Sequence, residues 1–180
     1  MTDRRKQADA AHAAGPGIRD QKPDAPLVHA PGPAIRTLSP PECLAILGRH
    51  TVARVAYAFE RHVDIVPVHV VYDDGWLYGR TSDGAKLQAW RHSHWVAAEA
   101  DEVRGLFDWV SVVVHGAVYV LRPDAGEDEA AAWEHAVDVL RRLVPETGTV
   151  YDPVPHRTAI FRIHVDEVTG RQALPGPPPT

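Results

Sequence analysis

The stretch richest in chemistry is Trp76-Leu77-Tyr78-Gly79-Arg80-Thr81-Ser82-Asp83-Gly84-Ala85-Lys86-Leu87. Its pattern ends a strand at Arg80 and Thr81 and begins a helix just after Ser82. Free backbone N–H groups and the positive end of the dipole at a helix start attract an anion. The hydroxyls of Thr81 and Ser82, the Arg80 guanidinium and the Lys86 ammonium converge there in sequence. That set of groups is what a phosphate monoester requires. Asp83 stands against it, because its carboxylate could cap the helix and compete with phosphate. The plain alternative is a capped helix with solvated charges. Pro67 is a second signal, inside the otherwise well-formed strand Asp64-Ile65-Val66-Pro67-Val68-His69-Val70-Val71-Tyr72. Proline cannot donate to a ladder, so it marks a strand edge, a bulge or a backbone facing something other than a strand. A flat ligand against that backbone would explain it, and so would an ordinary edge strand.

Other reactive residue types carry less. Single strand histidines such as His69 are usually packed or solvated, and no committed general acid or base emerges, so the catalytic residues are unknown at this level. Eleven histidines raise a metal site, but His92 and His94 lack a nearby Cys, Asp or Glu at familiar ligand spacing, and no metal is expected. Cys43 has no His–acid arrangement beside it and reads as a small core residue. Glu99, Asp101 and Glu102 read as a solvated strand end, with the first two on one face.

Positioning these groups requires a folded unit, and 180 residues suffice for one domain with a core, or one domain plus a tail. The chain is 44% hydrophobic and 24% charged, an ordinary globular composition. Its 19 Lys and Arg against 24 Asp and Glu leave a net charge of −5. That balance lacks the clustered cations of sequence-independent DNA binding, so nucleic acid is not expected as a partner. One cysteine excludes an intrachain disulfide and fits a reducing compartment. No stretch approaches a membrane span of roughly 20 apolar residues, and the amino terminus lacks the apolar run of a signal peptide. The expectation is a soluble, cytoplasmic protein without membrane association.

Residues 1–34 are rich in Ala, Pro, Gly and alternating charge, and read as a disordered tail. Residues 35–172 form the expected domain, and residues 173–180 a flexible C-terminal end. Ser39 and Glu42 form a capping box with Pro40 at the first helical position, opening a short helix to about Gly48. Period-two patterning then predicts strands around Val55–Phe59, Val63–Tyr72 and Trp76–Thr81, with a tight turn at Asp73-Asp74-Gly75. A helix over Ser82–Ser93, strands at Trp95–Glu102 and Trp109–Leu121, an amphipathic helix over Ala125–Val144 and a last strand at Thr158–Val168 complete the reading. Strands arriving in hairpins imply an α+β fold, a six-stranded antiparallel barrel with flanking helices.

In this order the segments resemble the pyridoxamine 5′-phosphate oxidase-like proteins with the FMN-binding split barrel. The resemblance runs from about Leu38 to Gly170. It is carried by Leu38-Ser39-Pro40-Pro41-Glu42-Cys43-Leu44, Ile65-Val66-Pro67-Val68, the hairpin Val71–Gly75 into Tyr78, Arg80-Thr81 through Gly84-Ala85-Lys86-Leu87, and Trp109-Val110-Ser111-Val112-Val113-Val114-His115-Gly116. Phe161-Arg162-Ile163 with Val168-Thr169-Gly170-Arg171 matches the last strand. The resemblance implies a homodimer with FMN in each of two interface clefts, and a flavin-dependent oxidoreductase acting on a small organic substrate by hydride transfer through flavin N5. Under it, the backbone of Val66, Pro67 and Val68 lies against the flavin ring. Arg80, Thr81, Ser82 and Lys86 hold the ribityl phosphate, and Trp109 and Ser111 line the cleft, from the same or the other subunit. The nitroimidazole-reductase branch has a histidine at the end of the third strand, where this chain has Arg80. The extra basic residues of true pyridoxamine-phosphate oxidases have no matching set. Two alternatives stay open: a non-catalytic flavin carrier or sensor, and a split barrel that binds the deazaflavin F420 or haem.

Overall fold

The computed structural model describes residues 32–176. The elements run β1 (Ala34–Thr37), α1 (Pro40–Arg49), β2 (Val52–Phe59), β3 (His62–Asp73), β4 (Trp76–Thr81), α2 (Ala85–His92), β5 (Trp95–Gly105), β6 (Asp108–Val120), α3 (Glu127–Arg141), β7 (Ala159–His164) and β8 (Glu167–Leu174). All strand pairs are antiparallel, in the order β1-β8-β6-β5-β2-β3-β4-β7. A further pairing of β6 with β7 closes six strands, β2 to β7, into a ring. This is the expected α+β split-barrel fold.

Two strands were not anticipated. β1 has every residue exposed, so it carries no alternation to read. The stretch expected as one last strand is two, β7 and β8, separated at Val165-Asp166. The reason lies on β6, whose last residues pair with β7 (Val118↔Ile163) while its first half pairs with β8 (Val112↔Gly170). One edge of β6 thus changes partners, and the crossing chain passes directly over Gly116. A Cβ there would sit 1.7 Å from the His164 carbonyl oxygen, so only glycine lets the backbones meet. Asp166 secures the crossing by accepting the Ala117 N–H at 3.1 Å. The described fold thus starts within the segment expected as a tail, at Ala34, and its last strand runs to Leu174. Residues 1–31 and 177–180 lie outside the described residues, and the expected tails are not addressed there.

Local chemistry fixes the remaining boundaries. At the start of α1 the Glu42 carboxylate accepts both the backbone N–H of Ser39, at 2.8 Å, and its hydroxyl, at 2.7 Å. The β3–β4 hairpin turns on Asp74 and Gly75, both at positive φ (40° and 81°), with Asp73 opposite Trp76. A two-residue Asp-Gly loop suits this left-handed backbone and matches the twist of the strands it joins. Among the described residues no helix is long and apolar enough to cross a membrane.

Two hydrophobic clusters sandwich β4. Inside the ring, Val55, Leu77, Val112, Phe161 and Ile163 pack together, with Leu47 of α1 and Trp90 of α2 buried in the same core. Outside it, Tyr78 and Ile160 pack against Val137 and Leu140 of α3. Burying both faces explains why β4 is buried at five consecutive positions, without the alternation of a half-exposed strand.

Candidate functional site

Alternation along β4 decides where its polar end points. Leu77 faces the ring interior and Tyr78 faces α3, so period two places Arg80 on the α3 side and Thr81 on the opposite face. Arg80 lines a cavity of about 250 Å³ with His69, Leu140, Val144, Val154 and Arg157. Its side chain is only 8% exposed, and one guanidinium nitrogen is ion-paired with Asp152, itself 6% exposed. Asp152 also accepts the N–H groups of Gly148 at 3.1 Å and Val154 at 2.9 Å. The Arg80 guanidinium and these bonds hold the Asp152 carboxyl far below the usual carboxylate range. The second terminal nitrogen of Arg80, Nη2, is buried with no partner. A guanidinium with an unused donor beside an open cavity is suited to a second anion.

Arg157 also lines this cavity, and Lys86 is within electrostatic reach of Arg157. Lys86, half-buried on the first turn of α2, has its ammonium pushed below the ordinary lysine value, first by burial and then by the charge of Arg157. Arg157, on the loop between α3 and β7, was not anticipated as a site residue. It follows a Pro-rich irregular stretch with no periodicity, and only the fold brings it beside Arg80. Mutual repulsion of Lys86 and Arg157 is relieved when an anion sits between them.

Helix α2 starts later than expected. Its N-cap is Gly84, without a side-chain cap, and Asp83 is exposed, so the anticipated competition from its carboxylate is not realised. Ser82 precedes the helix instead of capping it. Thr81 is buried, with its hydroxyl directed 3.4 Å from the Ser82 carbonyl. Arg80 and Arg157 therefore line one cavity, Lys86 stands outside that lining within electrostatic reach of Arg157, and Thr81 is turned to the opposite face of β4.

Val66, Pro67 and Val68 sit in β3, opposite Val55, Arg54 and Ala53 of β2. On the other edge β4 pairs only with Val70–Asp73. The preceding half of β3, including Pro67, thus has one edge without a strand neighbour among the described residues. This accounts for the proline, because its missing N–H falls in a strand paired on one side only. A ring nitrogen of His69 lies 3.2 Å from the Thr51 carbonyl, just before β2, and the residue lines the Arg80 cavity.

Trp109 and Ser111 face another cleft, of about 430 Å³, with Thr37, Val113, Thr169 and Arg171. It shares no lining residue with the Arg80 cavity, so a single chain does not unite the two groups. Behind Ser111, whose hydroxyl donates to Glu99 at 2.9 Å, Arg54 binds both Glu99 and Asp101. Those carboxylates form an ion-paired network, in place of the solvated strand end expected. Cys43 is fully buried, its thiol pushed up by burial. Among the described residues no three His, Cys, Asp or Glu side chains gather as metal ligands.

A family model described as pyridoxamine 5′-phosphate oxidase matches residues 39–172. The chain belongs to the pyridoxamine 5′-phosphate oxidase family. Among solved structures it is similar to an FAD-binding protein from Mesorhizobium loti, at 30% identity and a TM-score of 0.63, over 78% of this chain and 99% of that one. Two more distant structures share the fold. An FAD-binding protein from Mycobacterium smegmatis is 24% identical, with a TM-score of 0.53 over 76% of this chain and 98% of that one. An FAD and haem binding protein from the same organism is 17% identical, with a TM-score of 0.56 over 80% and 76%. No curated protein matches the chain.

Proposed function

We propose that this member of the family binds FMN and is a cytoplasmic, homodimeric, flavin-dependent oxidoreductase acting on a small organic substrate. The observation that carries the reading is Arg80, buried, clamped on one side by Asp152 and left with an unused Nη2 donor where Lys86 and Arg157 also bring positive charge. In this reading Arg80, Lys86 and Arg157 take the ribityl phosphate, and Ser82 borders it. The unpaired edge of β3 at Val66, Pro67 and Val68 presents backbone to the ring. Trp109 and Ser111 complete the cleft from the partner subunit, because one chain keeps them apart from Arg80. Bound flavin would supply the hydride chemistry, while the chain's residues bind, orient and screen it from water.

FAD is the second reading. Arg157 adds a cation beyond those expected for one phosphate, and the 30% identical relative is described as FAD-binding. The test is a spectroscopic titration of the purified chain with FMN and with FAD, beside Lys86→Ala, with the dimer followed by sedimentation. Saturation at one flavin per chain in a dimer, weakened at least about tenfold by Lys86→Ala, supports the proposal. Failure of both flavins to bind, or unchanged affinity in the variant, overturns it. NAD(P)H oxidation by the loaded protein with an acceptor present then separates an enzyme from a carrier.

A further inference from the structure

We propose that the open end of the strand ring holds a second binding site, for a small flat organic anion: an apolar body of one or two rings bearing a carboxylate. The site is a cleft of about 480 Å³ between α2 and the end of β6, a size within the range of small-molecule pockets. Its floor is Leu87, Trp90 and Val118, and its rim is Arg91, His94 and Arg122. The floor is apolar core, while the rim carries two guanidiniums and an imidazole.

Two features make this more than a basic surface patch. Neither Arg91 nor Arg122 forms an ion pair among the described residues, whereas Arg36, Arg49, Arg54 and Arg80 each carry a carboxylate. In a chain of net charge −5, the cleft thus sets two unpaired guanidiniums over one apolar floor. The Glu129 carboxylate accepts the backbone N–H of Arg122 at 3.3 Å and makes no ion pair with its guanidinium. Second, the rim has one flat surface, the His94 ring, which is stacked from outside the cleft by Tyr119 with 12° between planes and centroids 6.4 Å apart.

The chemistry of the ligand follows. An inorganic anion would reach the rim and leave the floor unused, and a neutral ring would leave the guanidiniums unused. A planar carboxylate satisfies both, since guanidinium and carboxylate match as a two-point pair. The cleft shares no residue with the Arg80 cavity. Trp90 stands next to both regions, because the Lys86 ammonium lies 5.8 Å over its ring.

The experiment is a calorimetric titration of the whole chain with 2-naphthoate and with its neutral counterpart 2-naphthalenemethanol, each with and without saturating FMN. The expected result is saturable naphthoate binding at one per chain, at least about tenfold tighter than the alcohol. FMN should not compete. Arg91→Gln and Arg122→Gln should each weaken it about tenfold. Both arginines are exposed, so the variants are expected to fold, and circular dichroism checks that they do. Absence of saturable heat, equal binding of the alcohol, displacement by FMN or indifference to both substitutions in folded variants would overturn the proposal. Failure of the flavin titration alone would leave it standing.

Discussion

Replacing Asp152 with Ala tests the candidate site most sharply, because it should move stability and anion binding in opposite directions. The Arg80–Asp152 pair is buried on both sides, at 8% and 6% exposure. Removing one partner of such a pair leaves an uncompensated buried charge, at a cost of about 3–5 kcal/mol. The N–H groups of Gly148 and Val154 also lose their acceptor and must turn to water. Taking about 3 kcal/mol as the smaller figure, at roughly 3 °C per kcal/mol for a chain of this size, the melting temperature should fall by about 9 °C. Deleting a carboxylate beside Arg80, Lys86 and Arg157 should meanwhile strengthen anion binding, so inorganic phosphate should restore part of the lost stability. The assay is urea unfolding of wild type and variant, with and without phosphate. A loss under about 1 kcal/mol would show that the pair is not desolvated. A phosphate effect no larger in the variant than in wild type would refute the assignment of an anion site beside Arg80.

Other outcomes follow from the same geometry. Gly116→Ala should abolish the native fold or cost more than about 4 kcal/mol, since its Cβ would overlap the His164 carbonyl; soluble yield and thermal unfolding report it. Ser39→Ala should lower stability by about 1 kcal/mol, the usual worth of an N-cap, as read by denaturant titration. Glu42 is held at about 2, chiefly by its bonds from Ser39, and Asp152 lower still. Both folded values lie below the unfolded ones. Their stabilisation is therefore present above the ordinary carboxylate range and lost as pH falls through the folded values, and stability measured from pH 5 downward should decline over that interval. Lys86 is shifted the other way from a paired lysine, and a bound anion should draw it back up. Flavin binding on the alkaline side should then take up protons, which calorimetry in buffers of different ionisation enthalpy detects.

The parts legible in the sequence are those specified by local chemistry. The Ser39–Glu42 capping box, the Asp74-Gly75 turn and the alternation of β2 and β3 each state their structure within a few residues. Pro67 was legible as an edge signal for the same reason. What was hidden depends on distant partners. β1 has no buried face, and β4 has two. The division of the last strand rests on β6 changing partners over Gly116, which no window around residues 159–174 contains. At the site, Arg80 and Lys86 were readable from their place between strand and helix. Asp152 and Arg157 were not, because they reach it from a loop about 70 residues further on. Thr81 and Arg80 are neighbours in sequence that strand alternation turns to opposite faces of β4.

The central claim is that the cavity lined by Arg80 and Arg157, with Lys86 within electrostatic reach of Arg157, holds a flavin phosphate, and comparing FMN with riboflavin tests it most directly. The two share the ring and ribityl chain and differ only in the phosphate. Two charge-assisted bonds at about 1.5 kcal/mol each predict FMN binding about a hundredfold tighter than riboflavin. Lys86→Ala should remove about half of that free-energy difference, leaving FMN about tenfold tighter. Equal Kd values for FMN and riboflavin would contradict the claim.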